Sequence, residues 1–321
     1  MTQQHTIADD DNDIRLDRWF KRHYPGIQHS LLEKHLRKGL IRLDGKKAKT
    51  SDRVQTGQTI ICPPMQIDET VKAKRVASAA DLNAVKDWVL YKDANIIVIN
   101  KPSGLAVQGG TKITRNLDDM LEGLKFDAKE RPKLIHRIDR DTSGALVLAR
   151  TAKVAALLAK GFAGKQIEKT YWALVNGSPL PPVGYVDLPL NKIARPDNYE
   201  QVEVDEEEGK YAKTEYRVID SLARKFALME LKPLTGRMHQ LRVHMAAIDC
   251  PIVGDHKYGG GMKQPKNSDA GKLGVEDVLH LHARRIIIPA LPGGKVVDVT
   301  APLPKHMVNS FEALGLDLPK R

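Results

Sequence analysis

The chain has only two cysteines in 321 residues, Cys62 and Cys250, and they stand far apart. That pattern matches neither a disulfide framework nor a C-x-x-C metal pair, and it leaves both as packing residues. No apolar run approaches the ~18 residues of a membrane span. The polar, acidic start MTQQHTIADDDND lacks the basic and apolar regions of a secretion signal. A cytoplasmic protein with no membrane partner is expected. Aromatic residues make up only 5% of the chain, but 41% of it is hydrophobic, enough for a packed core. Acids are the minority charge: 40 Asp and Glu face 51 Lys and Arg, a net +11 that favours a polyanionic partner such as nucleic acid. The length exceeds the ~100 to 200 residues of one typical domain, so two domains, one of them small, are expected.

Several chemistries are missing as motifs. There is no G-x-x-x-x-G-K-[ST], and GGGMK at Gly259 to Lys263 lacks the strand and helix that a phosphate loop needs. His136, His239, His244, His280 and His282 form no H-E-x-x-H or Cys/His cluster, so no metal site is expected. Ser143 sits in T-S-G, not G-x-S-x-G. The carboxylates remain as candidates for chemistry.

Residues 1–13 read as a disordered leader. Ile14 to Cys62 then carries twelve Lys and Arg against four acids, a net +8, so most of the excess positive charge lies in one short docking module. Ile14, Leu16, Trp19 and Phe20 are spaced for a helix. Ser30 reads as the N-cap of a second helix, Leu31 to Lys38, that Gly39 stops, and LIRLDGKK turns at Asp44-Gly45 as a hairpin does. This order, with IRLDRWF, LRKGLIRLDGKK and TGQTIICPP, resembles the small S-four-like RNA-binding module shared by a small-subunit ribosomal protein and bacterial tyrosyl-tRNA synthetases. The resemblance implies RNA contacts at Lys34, Arg37, Lys38, Arg42, Lys46 and Lys47. Its expected extent is 14–64, followed by a linker over 65–86.

From Asp87 the pattern changes. Val89 to Tyr91, Ile96 to Asn100 and Ala145 to Ala149 read as strands, as do TYWALVNG, AKTEYRVID, KFALMELKP, HQLRVHM and HARRIIIP. Leu117 to Leu124 reads as a helix, and so does TAKVAALLAKGF with Thr151 as its cap. Strands outnumber helices without alternating with them, which predicts an α+β domain with a mainly antiparallel mixed sheet and flanking helices over 87–310, then a tail over 311–321. The acidic run VEVDEEEGK reads as an exposed hairpin tip or loop.

KLIHRIDRDTSGALVLAR concentrates charge at the lip of the strand Ala145 to Ala149. Asp139 is preceded by Arg137 and followed by Arg140 and Asp141. A carboxylate in a partly desolvated cleft stays ionised if a guanidinium pairs with it, and it then serves as nucleophile or base. The alternative is an Asp that only caps a turn. Tyr171, taken alone, is a strand aromatic of the core.

HRIDRDTSG resembles the H-R-L-D-x-x-T-S-G motif of the RluA/RluC/RluD group of pseudouridine synthases, with Ile138 in place of Leu. INKPSGLAVQGG, IEKTYWALVNG, GKYAKTEYRV, PLTGRMHQLRVHM, PIVGDHKYG and LHLHARRI match the other blocks of that group in order, from about Asp87 to Pro302. The basic module is closer to the RluC type, and Met238 departs from the Thr often found there. The resemblance implies a pseudouridine synthase fold and an enzyme that detaches a uridine base from ribose, turns it and rejoins it through carbon-5, with no cofactor. It implies Asp139 as the catalytic carboxylate, by attack on the anomeric carbon or by removal of the ribose 2′ proton. Arg242 would pair with Asp139, and Tyr171 would stack on the base or handle the carbon-5 proton. Ile138 and Leu281 would form apolar walls, and Arg137 would fill the space of the extruded base. The RluC-like module points to large-subunit (23S) ribosomal RNA or a pre-ribosomal particle as partner of a monomer. Alternatives are other ribosomal or transfer RNA uridines, a ribosome assembly factor that binds RNA without catalysis, and a different carbohydrate-active carboxylate enzyme.

Overall fold

Ile96, Ile97, Val98 and Ile99 are consecutive, and all four are fully buried. A strand covered on both faces has this composition, because successive side chains point to opposite sides. In the computed structural model, Ile97 and Ile99 pack under the helical turns 117–124, while Ile96 and Val98 pack with Val154 and Leu158 of the helix Ala152–Ala163. The structure describes residues 2–24, 26–65, 77–110, 113–194, 200–259 and 269–318. The chain divides into two units, 1–76 and 77–321.

The larger unit is built on a ten-stranded mixed sheet. Its main path runs Val183–Asp187, Lys213–Leu222, Phe226–Pro233, Glu168–Asn176, Leu281–Ile288, Ser143–Ala149, Ile96–Lys101, Val89–Lys92. Among the described strands, Ser143–Ala149 against Leu281–Ile288 is the one parallel pairing in this sheet, so the expected α+β architecture is what is observed. Helix Gln240–Ala247 packs Leu241 and Met245 on Ala173, Val175 and Met229, and helix Lys305–Ala313 packs Met307 and Phe311 with Trp172, Leu174 and Leu228. The Thr151 side chain accepts the Val154 N–H, as its capping position predicts.

Several expectations change. HQLRVHM is not a strand: Gln240–Ala247 is a helix whose residues 240–245 are all buried. Burial on every side erases the 3.6-residue period, and the polar members Arg242 and His244 alternate with apolar ones only because each has a buried partner. The expected linker overlaps helix Ala79–Asp87, which Ser78 caps and whose Val85 joins the core; residues 66–76 lie outside the described set, as do 260–263 of GGGMK. The expected tail begins inside a helix, with Phe311, Leu314 and Leu316 buried. In VEVDEEEGK, Val202 to Val204 belong to strand Glu200–Val204, and only Glu206 to Glu208 form an exposed turn.

The smaller unit has helices Leu16–His23 and His29–Arg37 over a four-stranded sheet. Gln28, not Ser30, is the N-cap of the second helix. Asp44 and Gly45 both have positive φ, 48° and 74°, which closes a two-residue hairpin between Arg42–Leu43 and Lys46–Lys47. The leader is ordered: Gln3–Thr6 pairs antiparallel with Thr59–Cys62, Ile7 is in the core, and buried Asp11 holds Arg22 at 2.6 Å and His23 at 2.5 Å. Main-chain pairing and one buried carboxylate fix this segment, and neither leaves an apolar pattern to read. Both cysteines are buried and free.

Gly144 sits where the parallel pairing starts, opposite Ala283. Its φ is +111°, and an added Cβ would meet the Ala283 carbonyl oxygen at 2.3 Å and its nitrogen at 2.7 Å. Those are backbone atoms and cannot rotate away. Gly144→Ala is expected to cost about 3 kcal/mol or more by forced overpacking, read as a lowered urea midpoint. An unchanged midpoint would show that the two strands can separate freely. Behind the junction, His282 Nδ1 bonds to the Ser143 hydroxyl at 2.9 Å, and His280 Nε2 to that of Ser310 at 2.8 Å. Burial brings each imidazole down to about 4 from 6.5. The unfolded chain therefore binds more protons in that window, and stability is complete above pH 6.5 and lost as pH falls toward 4. His282→Gln should flatten this slope in urea titrations; a slope equal to the wild type would assign it to other groups.

Candidate active site

Asp139 lies in the loop that leads into strand Ser143–Ala149 and lines a cavity of about 810 Å³. That size falls within the ~300–1,000 Å³ usual for ligand pockets. Arg137, Ile138, Tyr171, Arg242 and Leu281, all expected from sequence, line the same cavity. Arg137 is exposed; Ile138 and Leu281 are buried.

Two ties fix the loop from behind. Lys101 is fully buried, and its Nζ donates to the carbonyls of Pro102, Leu105 and Arg140 at 2.8, 2.8 and 2.9 Å. Burial draws its pKa down to about 7 against the pull of Asp141 and Asp139, but three carbonyl acceptors use all three N–H bonds that only the ammonium carries, so we read it as charged. The Ser103 hydroxyl donates to the Asp141 carbonyl at 2.7 Å. The K-P-S-G turn thus grips the backbone immediately after Asp139.

Arg242 is buried, with Nη1 3.6 Å from Asp139 Oδ2. Its shorter bonds go elsewhere: Nε and Nη2 donate to Asp255 at 2.8 and 2.7 Å. The expected pairing with Asp139 is therefore present but secondary. Asp255, which sequence reasoning did not single out, is the principal partner. Burial opposes the guanidinium charge, yet the Asp255 bonds and the Asp139 carboxylate more than offset it, and the pKa is raised. Asp255 also accepts the Lys257 and Tyr258 N–H groups, so its own turn holds it in place.

Tyr258 completes the cluster. Its ring lies 5.1 Å from the Arg242 guanidinium, and its hydroxyl accepts the Val202 N–H at 3.1 Å. The hydroxyl proton is then free for His239 Nδ1, 2.7 Å away. This assignment puts the His239 proton on Nε2, which faces Asp139 Oδ1 at 3.9 Å. Burial lowers the His239 pKa despite the nearby carboxylate, so the ring is neutral. His239 has φ +52°, a left-handed conformation at the start of helix Gln240–Ala247 that aims its side chain off the helix axis.

Tyr171 is half-buried, and its pKa is pushed upward, first by desolvation and then by the Asp139 carboxylate. The phenol keeps its proton. His136 is a structural group: burial, helped by nearby Lys169, takes its pKa down to about 3, and its Nε2 accepts the Val147 N–H at 2.9 Å. His244 is likewise held, by Thr214 and the Leu188 carbonyl. The histidines are dispersed among separate hydrogen bonds, and among the described residues no three His, Cys, Asp or Glu side chains converge as metal ligands would.

A profile of the RNA pseudouridylate synthase family matches residues 95–247, which carry Asp139, Tyr171 and Arg242. A protein of Rickettsia felis described as ribosomal large subunit pseudouridine synthase C is 35% identical over 302 residues, covering 92% of this chain and 95% of that protein. The chain belongs to the RNA pseudouridylate synthase family. A mitochondrial RNA pseudouridine synthase of Arabidopsis thaliana is 34% identical, covering 92% of this synthase and 78% of its own length. The solved structure of human RNA pseudouridylate synthase domain containing 4 superposes with a TM-score of 0.64 at 34% identity, over 74% of this chain and 97% of that one. The synthase is therefore an RNA-modifying isomerase with the pseudouridine synthase fold. Among the described residues, no helix is long and apolar enough to cross a membrane.

Asp255→Asn keeps the size of the side chain and removes the charge that fixes Arg242. Pairing lost from one side of a buried ion pair costs ~3–5 kcal/mol, less where an amide oxygen still accepts. We expect a lower melting temperature and a single-turnover rate at least tenfold down, in the ~10-fold-or-more range for misplacing a group that must meet the reacting atoms. RNA affinity should change little. A wild-type rate in a folded variant would remove Asp255 from the account.

Proposed function

We propose that this synthase isomerises uridine in large-subunit ribosomal RNA, with Asp139 as the carboxylate that acts at the ribose. The observation that carries the assignment is the position of Asp139: it lies at the cavity with a fixed guanidinium at 3.6 Å and a neutral imidazole at 3.9 Å. The choice of RNA rests on the likeness to relatives described as ribosomal large subunit pseudouridine synthases.

In this reading the N1–C1′ bond breaks, a C1′–C5 bond forms, and the proton lost from carbon-5 is balanced by one gained at N1. Both routes open to Asp139, attack on the anomeric carbon and removal of the 2′ proton, need an ionised carboxylate. Arg242 acts as its charge partner. The raised pKa of Tyr171 disfavours a phenolate base, which supports a role in stacking on the uracil and donating a hydrogen bond. Ile138 and Leu281 wall the base. Arg137, exposed at the cavity and in no ion pair among the described residues, takes the space the extruded uridine vacates.

The smaller unit is read as the S-four-like RNA tether. Lys34, Arg37, Lys38, Arg42, Lys46 and Lys47 are all exposed there. Arg42 also braces the turn through the Gly39 and Gly45 carbonyls at 3.4 and 3.1 Å, so its contribution is partly to hold the hairpin. The reading extends to a monomer that works in the cytoplasm on ribosomal RNA or a pre-ribosomal particle.

Asp139→Asn tests the central assignment, because it removes one charge without changing volume. Single-turnover isomerisation of unmodified large-subunit RNA should fall by about a thousandfold, within the ~10²–10⁴ attributed to a positioned acid or base. RNA affinity and melting temperature should stay near wild type. A folded variant that retains most of its rate would refute the role.

A further inference from the structure

Tyr211 is 53% exposed in a chain that spends few aromatics on its surface. The backbone beneath it is firmly held. Its carbonyl accepts Arg237 Nε at 3.0 Å, Ala212 is fully buried, and the Lys213 N–H donates to Thr235 Oγ1 at 3.0 Å. Leu234 returns an N–H to the Lys213 carbonyl at 2.9 Å. Leu234 to Arg237 line the cavity that contains Asp139, so this lattice of bonds ties Tyr211 to the cavity rim while leaving its ring in solvent.

Lys165 faces that ring, with Nζ 6.0 Å from its centroid, and it too lines the cavity. Its backbone is the less expected feature. Helix Ala152–Ala163 ends in a closed turn, with Lys165 N–H to the Phe162 carbonyl and Gln166 N–H to the Gly161 carbonyl. The left-handed residue of such a turn is usually glycine. Here it is Lys165 at φ +56°, at a cost of ~1–2 kcal/mol for an L residue. A strained lysine at a cavity rim points to a use for its head group. Glu168 and Glu215 line the same cavity, but Arg137, Lys165, Lys169, Lys232 and Arg237 outnumber them.

An exposed ring faced by Lys165, on a backbone that Arg237 holds, with both cations lining a cavity read as receiving one nucleotide, has the composition of a single-strand stacking site. We propose that Tyr211, with Lys165 and Arg237, is a platform on which an unpaired RNA base beside the target uridine stacks, its phosphate held by the two cations. This rests on the reading of the cavity as a uridine site. Extruding a uridine strips one stacking partner from each neighbouring base, and the platform replaces one of them.

The test uses full-length protein and the shortest fragment of unmodified large-subunit ribosomal RNA that the wild type modifies. A fluorescent base analogue is placed on either side of the modified uridine, with Asp139→Asn as background so that bound RNA is not turned over. Tyr211→Ala should bind about tenfold more weakly, in keeping with the loss of one stacked base, and Tyr211→Phe within about twofold. Quenching of the analogue at one flanking position should vanish in Tyr211→Ala, and an abasic residue there should erase the difference between wild type and variant. With Asp139 restored, the saturated single-turnover rate should be unchanged. Equal affinities, or a loss that appears as a lower saturated rate, would overturn the platform. If the wild type forms no pseudouridine in any ribosomal RNA, the functional reading itself fails; if it does and Tyr211→Ala binds equally well, only the platform fails.

Discussion

One guanidinium held between two carboxylates organises the site. Arg242 gives Asp255 two short bonds and turns its remaining edge to Asp139 at 3.6 Å. At that distance, opposite charges attract by about 4 to 5 kcal/mol with an effective dielectric of ~20, before desolvation is counted. With His239 neutral, one cation and two carboxylates leave one net negative charge. Asp255 is nearly sealed from solvent, whereas Asp139 opens to the cavity, so that charge is available only where a substrate can reach it. The planar fork of arginine makes this division possible, since one edge binds bidentately while the other nitrogen stays free; a lysine ammonium lacks that geometry.

The fold supplies each member of the cluster from a different place. Asp139 comes from the loop entering strand Ser143–Ala149, Arg242 and His239 from the start of a buried helix, and Asp255 and Tyr258 from the turn that follows it. Lys101 and Ser103 then pin the loop from behind through backbone carbonyls. Gly144 lets the loop's strand lie against Leu281–Ile288 closely enough for Leu281 to reach the cavity wall. Three buried charged side chains of the larger unit, Lys101, Arg242 and Asp255, thus serve to hold one carboxylate, and each has the hydrogen-bond partners that explain its burial.

Asp139, Arg137, Tyr171 and Arg242 line one cavity, and it was the resemblance of their blocks to a known family that grouped them; residue types alone left Tyr171 as a core aromatic and Arg242 in a strand. The helix capped by Thr151 and the Asp44-Gly45 hairpin were legible because capping and turn chemistry are local. Helix Gln240–Ala247 was not. Its polar residues are buried and paired with Thr214, Leu188, Asp255 and Asp139, so hydrophobic alternation gave a strand's signature. Asp255 and Tyr258 were visible within PIVGDHKYG, but nothing in that block states that the carboxylate reaches back 13 residues to Arg242. The leader and the tail failed for the same reason: main-chain pairing at Gln3–Thr6 and burial of Phe311 depend on partners far along the chain.

The central claim is that this cavity converts uridine in large-subunit ribosomal RNA. Its most direct test is a map of pseudouridines in ribosomal and transfer RNA from cells lacking the gene, read by pseudouridine-specific chemical labelling. The account predicts that one or a few positions in large-subunit ribosomal RNA lose the modification and that the wild-type gene restores them. Retention of every ribosomal pseudouridine in the deleted strain would contradict it.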